Sequence, residues 1–226
     1  MHIPDGFLDP KVSVGMMSVA GAALAFCFAK VKEVVTALVP AEALATAGQG
    51  AGNLSGRLRR VLTPAGEKLI YKMGMVASLI FAAQMFNFPI NSGTSGHLIG
   101  GVFASVILGP FAGAIVVAIV LTVQMLFFAD GGILAIGANI FNMAVIASFG
   151  CYYIYYWLKK YLPEWFSVAV AAWASVVLAS FACAVELGGG VIIPAMVKVH
   201  AVIGIAEALI TLALVNIFRT MRKGEE

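Results

Sequence analysis

Charge is scarce in this chain. Asp, Glu, Lys and Arg make up 11% of its 226 residues while hydrophobic residues make up 62%, against about a quarter charged in an ordinary soluble domain. That balance excludes a water-soluble enzyme or a nucleic-acid-binding protein and indicates an integral membrane protein. Cysteine is scarce too. Cys27, Cys151 and Cys183 each lie in an apolar stretch without metal-ligand spacing, where a thiol behaves as a small hydrophobe. No GxxxxGK[ST] loop occurs, so the chain cannot hydrolyse ATP through a P-loop, and work against a gradient must come from partners or ion gradients. The chain opens MHIPDGFLDPK, with no apolar span inside a basic leader, so no cleavable signal or transit peptide is expected and Met1 is expected to be the mature terminus. There is no second soluble domain and no internal repeat of the kind found in self-contained secondary transporters. One membrane domain, 1–226, is the expected organisation.

A helix needs about 20 apolar residues, roughly 17 to 25, to cross a bilayer. Seven stretches suit that template: 13–29, 69–89, 98–108, 111–129, 133–158, 166–187 and 199–218. The third is short and is parted from the fourth only by Gly109-Pro110, a turn signal, so this pair could also be a broken or re-entrant hairpin. With the N-terminus outside, all of the 14 Lys and Arg except Lys11 and Lys198 fall on cytoplasmic segments, as the positive-inside rule requires. The expectation is an all-α polytopic bundle of about seven transmembrane helices, N-terminus outside and C-terminus cytoplasmic. Its external N-terminal segment is 1–12, and its cytoplasmic loop region is 30–68, with a basic end suited to anionic lipid head groups.

The external side holds the chemistry. The α-amine of Met1, the backbone nitrogen of His2 and the Nδ1 of His2 can close a five-membered and then a six-membered ring around one ion. Such a chelate fills three corners of a square plane, the geometry that nickel and copper favour with nitrogen donors. His2 hinders removal of Met1, and in a bacterium the formyl group must come off before the amine can bind. A fourth nitrogen is available from His97, one of 3 histidines, at the end of the polar, uncharged loop NFPINSGTSGH. The same histidine could instead serve as a loop cap.

MHIPDGFL at the N-terminus, NSGTSGHLIGG around His97, GGILAIGANIFNMAV after Asp130 and HAVIGIAEALIT near the end resemble the CbiM/NikM family. These are the substrate-binding S components of energy-coupling-factor ABC transporters for cobalt and nickel, and the similarity runs in order along essentially the whole chain. The resemblance implies a helical membrane bundle with an additional N-terminal helix, in the plasma membrane of a prokaryote. It implies a metal held by the Met1 amine, the backbone nitrogen and imidazole of His2, and the imidazole of His97. It further implies a transmembrane T component, two ATPase subunits and often a small accessory membrane subunit as partners. Ni2+ or Co2+ would be bound substrate, not a catalytic cofactor. The donors agree, since magnesium, calcium and manganese ask for oxygen ligands.

Asp5, Asn91, Ser92, Thr94, Ser95, Asn139 and Asn142 are candidates to orient an imidazole, or else loop caps and interhelical hydrogen bonds. Polar groups in apolar spans call for partners. His200 and Glu207, seven apart on one helical face, could line a metal route or fix the bundle, and Gln84, Gln124 and Glu186 raise the same question. Asp130, in a turn before Gly131-Gly132, is expected to be a cap or loop residue. Two other functions fit part of the chain. One is a stand-alone metal permease or channel; the other is an intramembrane serine protease using Ser95 of Gly93-Thr94-Ser95-Gly96 with His200 as base, which leaves Met1-His2 unexplained.

Overall fold

The computed structural model describes residues 2–40, 58–85, 88–90 and 94–223. In chain order these form α1 (Pro10–Val35), β1 (Thr36–Pro40), β2 (Leu58–Leu62), α2 (Pro64–Gln84), β3 (Phe88–Ile90), β4 (Thr94–Gly96), α3 (Gly101–Leu108), α4 (Pro110–Phe128), α5 (Ile136–Leu158), α6 (Glu164–Glu186) and α7 (Ile192–Lys223). Five of these helices, α1 and α4 to α7, are long and apolar enough to cross a membrane. The protein is a multi-pass helical membrane protein.

Helix starts follow local chemistry. The Asp9 carboxylate accepts from the Lys11 N–H at 2.8 Å with Pro10 next to it, and the Thr63 hydroxyl accepts from the Gly66 N–H at 2.9 Å ahead of Pro64. Both are side-chain caps followed by a proline that needs no amide partner. Small residues then let helices approach closely. A side chain at Gly113 of α4 would strike Ser105 of α3, and one at Gly137 of α5 would strike the backbone of Met16 and Met17 in α1. The small residues Gly15, Ser18, Gly21, Ala25 and Ala29 of α1 lie on its exposed side.

Three expected segments differ from the structure. The region 30–68 is not one loop. α1 continues to Val35, helped by the Lys30–Glu33 pair at 3.3 Å, and β1 pairs antiparallel with β2 from Thr36 opposite Leu62 to Pro40 opposite Leu58. The stretch 69–89 is helical from Pro64 only to Gln84, after which the short β3–β4 ribbon leads to His97. An all-α description therefore omits two small ribbons.

The third difference positions the site. Of the stretch 98–108 only Gly101–Leu108 is helical, a rise of about 12 Å, and residues 97–100 ahead of it are non-helical. Irregular backbone at membrane depth needs its polar groups satisfied from within the protein. Glu207 of α7, fully buried, accepts from the Ile99 N–H at 2.9 Å and the Gly100 N–H at 2.8 Å, while Gln84 Nε2 donates to the Ile99 carbonyl at 2.7 Å. Two of the polar residues found in apolar spans are thus the partners of a broken helix. Glu207→Ala leaves two buried amides unpaired at a cost of roughly 2–6 kcal/mol, and Glu207→Gln, which keeps an acceptor, loses less. Thermal unfolding in detergent reads both.

Candidate metal centre

The N-terminal segment is fastened down residue by residue. The Ile3 N–H donates to Asn139 Oδ1 at 2.8 Å, Asn139 Nδ2 returns a bond to the Ile3 carbonyl at 3.2 Å, and the Gly132 N–H donates to the same carbonyl at 2.9 Å. The Ile3 side chain is buried among Ala135, Ala138, Cys183, Ala184 and Met196. Two residues on, the Asp5 carboxylate accepts from the N–H groups of Ile133 and Leu134 at 3.0 and 2.8 Å. This seat requires glycine at 132, because a Cβ there would collide with both the backbone and the side chain of Asp5.

The fastening delivers His2 onto His97. Their rings stack with centroids 4.5 Å apart and planes 25° from parallel, and both residues are buried. His97 Nδ1 lies 2.8 Å from the Leu98 carbonyl. A carbonyl only accepts, so Nδ1 carries the proton and Nε2 keeps its lone pair. Among the described residues Nε2 has no hydrogen-bond partner. His2 Nδ1 stands 2.9 Å from Asp130 Oδ1, and among the described residues neither ring nitrogen of His2 makes an aligned hydrogen bond. Burial holds the His2 imidazole below its ordinary 6.5, with Asp130 opposing. The His2 ring in turn holds the Asp130 carboxyl below its ordinary value. The result is a pocket of neutral imidazoles with bare nitrogens beside one carboxylate.

The other candidates divide. Asn139 and Asp5 bind the backbone of the N-terminal segment and its seat, not an imidazole. Asn142 Nδ2 donates to Glu186 Oε2 at 2.7 Å, joining α5 to α6. His200 Nδ1 bonds the Met196 carbonyl at 2.8 Å, and Glu207 serves the amides of Ile99 and Gly100. Thr94 and Ser95 form β4, paired with Ile90 and Pro89. Met1, Asn91 and Ser92 lie outside the described residues. Asp130 is the residue that sequence reasoning undervalued. Its signal was a carboxylate in an Asp-Gly-Gly turn on the side of the chain expected to hold His2. Among the described residues no three His, Cys, Asp or Glu side chains gather around one point.

The description of the cobalt uptake substrate-specific transmembrane region, CbiM, matches residues 2–224. The chain belongs to the CbiM family. A relative from Archaeoglobus fulgidus, provisionally named the fused nickel transport protein NikMN, is 36% identical over 98% of this chain and 66% of its own length. A metal transport protein of Haloquadratum walsbyi, also provisionally named, is 33% identical over 93% of this chain and 86% of its own. This chain spans about two thirds of the first relative. A solved structure of a truncated transition metal transporter superposes with a TM-score of 0.77 at 31% identity, over 98% of this chain and 99% of that one. Membership places the chain among cobalt and nickel transport proteins.

Proposed function

We propose that this chain is the substrate-capturing S component of an energy-coupling-factor transporter and that it binds Ni2+ or Co2+ as cargo. The donors are the α-amine of Met1, the backbone nitrogen and Nδ1 of His2, and Nε2 of His97. The observation that carries the reading is the delivery of His2, whose peptide bond joins it to Met1, onto a buried His97 whose Nε2 is bare. A divalent ion buried here needs negative charge close by. The deprotonated amide of His2 supplies one charge and Asp130, 2.9 Å from the His2 ring, supplies the other.

Topology follows the same reading. The bundle crosses seven times, N-terminus outside and C-terminus cytoplasmic, in the plasma membrane of a prokaryote. α2, about 31 Å long, makes one crossing despite Glu67, Lys68 and Lys72. The third crossing is composite: residues 97–100 reach up to about 13 Å and α3 adds about 12 Å. The partners are a T component, two ATPase subunits and a small accessory subunit.

In proteoliposomes containing this chain alone, nickel is captured but none moves under an ion gradient, and flux requires the partners with ATP. Gradient-driven flux through the chain alone would instead establish a stand-alone permease.

Asn139→Ala frees the segment at Ile3 without removing a donor. Losing its two hydrogen bonds, about 1–3 kcal/mol, lowers nickel affinity roughly tenfold to a hundredfold, with the absorption spectrum of the bound ion unchanged. Acid weakens capture. Each ion displaces the amide proton and, below the amine's usual pKa of about 8, an amine proton. The His2 imidazole, held below 6.5, contributes little near neutrality. Below about pH 7, affinity therefore falls roughly a hundredfold per pH unit, and calorimetry in buffers of different ionisation enthalpy counts about two protons released per ion.

A further inference from the structure

α7 brings a third imidazole to the same depth. Its first turns share the Ile3 cluster through Met196, Ile192 and Ile193, so α7 runs away from the His2 end of the bundle, as does the segment from His97 into α3. Glu207 meets Ile99 and Gly100. His200 is seven residues earlier on the same helical face, about 10 Å back toward the His2 end, which sets it level with His97.

His200 matches His97 in its chemistry as well. The residue is 2% exposed. Its Nδ1–H donates to the Met196 carbonyl at 2.8 Å, which in the neutral ring leaves the lone pair on Nε2, and among the described residues that nitrogen has no partner. A side chain kept only to fill space or to bond Met196 has no use for a bare buried acceptor, which is costly to maintain. A neutral imidazole with a free Nε2 is, however, a ready donor for a late divalent metal.

We propose that His200 is a second-stage metal donor: when the N-terminal chelate opens, the ion is retained by His97 and His200 together, and it departs from this two-imidazole station. In that exchange the Met1 amine and the His2 nitrogens leave the ion, the amide nitrogen takes back a proton from water, and water completes the coordination. His97 is common to both stages, so the ion is never without a protein ligand. The inference rests on the capture site described above.

The test uses the full chain, C-terminally tagged and with nickel as probe, after the first site has been dismantled by retaining the formyl group on Met1 and replacing His2 with alanine. This protein should keep weak binding of one nickel per chain, reduced at least tenfold by His200→Ala and equally by His97→Ala. His200→Gln, whose amide can still bond the Met196 carbonyl, should behave like the alanine variant. With Met1 and His2 intact, His200→Ala should still capture nickel stoichiometrically, which also shows that it folds. Absence of residual binding, or residual binding indifferent to both His200 variants, overturns the proposal, as does loss of capture on His200→Ala when Met1 and His2 are intact. Failure of the capture site itself is read separately, as equal nickel affinity in the unmodified chain and in the dismantled one.

Discussion

Replacing His97 by alanine lowers nickel affinity by about a thousandfold or more, equivalent to roughly 4 kcal/mol, and replacing His2 costs more still. His97 contributes one nitrogen. Its removal leaves the five- and six-membered rings of the N-terminal chelate intact but opens the fourth corner of the plane to water, and it takes away the ring on which His2 stacks. His2→Ala removes the imidazole and with it the six-membered ring, leaving only the amine and an amide that has little reason to lose its proton. Neither change threatens the fold. Among the described residues the one side-chain hydrogen bond of His97 is to its neighbour Leu98, and the segment that carries His2 is fastened through Ile3 and Asp5. Competition against a chelator of known affinity, with the unfolding temperature of each variant alongside, gives the order expected here: His2→Ala weakest, His97→Ala next, the parent tightest.

Protein that retains the formyl group on Met1 loses nickel binding to a comparable extent, again about a thousandfold or more. A formylated nitrogen is an amide with no lone pair to offer until it is deprotonated, so the first corner of the plane is lost while every side chain stays in place. Formylation is a cleaner test than adding a residue before Met1. An extra residue would create a new amine, two backbone amides and the His2 imidazole, which could close a plane of their own without His97. Expression with and without inhibition of deformylation, followed by titration with nickel, provides the pair of proteins. Mass spectrometry verifies the terminus in each.

How far the sequence led can be judged from particular residues. Hydropathy located α1 and α4 to α7, because an apolar run of about 20 residues has few uses outside a bilayer, and Gly109-Pro110 marked the turn between α3 and α4. Composition could not foresee that residues 97–100 abandon the helix. That depends on Glu207, more than a hundred positions away, meeting the amides of Ile99 and Gly100, a tertiary bond that no local pattern encodes. The polarity of Gln84 and Glu207 was legible, but their partner was not.

The candidate site was legible in the same uneven way. His2 and His97 stood out because the chain has 3 histidines and the charge rule put two of them on one side of the membrane. Asn139 was singled out as a group to orient an imidazole or else to cap a loop or bridge helices, and it binds the backbone of Ile3. Asp130 was read as a cap or loop residue and does lie in the α4–α5 loop, but its approach to His2 needs the N-terminal segment to fold over that turn. The close fit of Asp5 over Gly132 explains why that turn lacks side chains.

The most direct measurement is the magnetic state of nickel in the loaded protein. Four nitrogens in a plane, one of them a deprotonated amide, hold this ion in a square-planar low-spin state. A diamagnetic centre with the absorption of planar nickel is therefore expected, appearing in unmodified protein and absent from the formylated form. A paramagnetic six-coordinate ion, present whether or not Met1 is formylated, would contradict it.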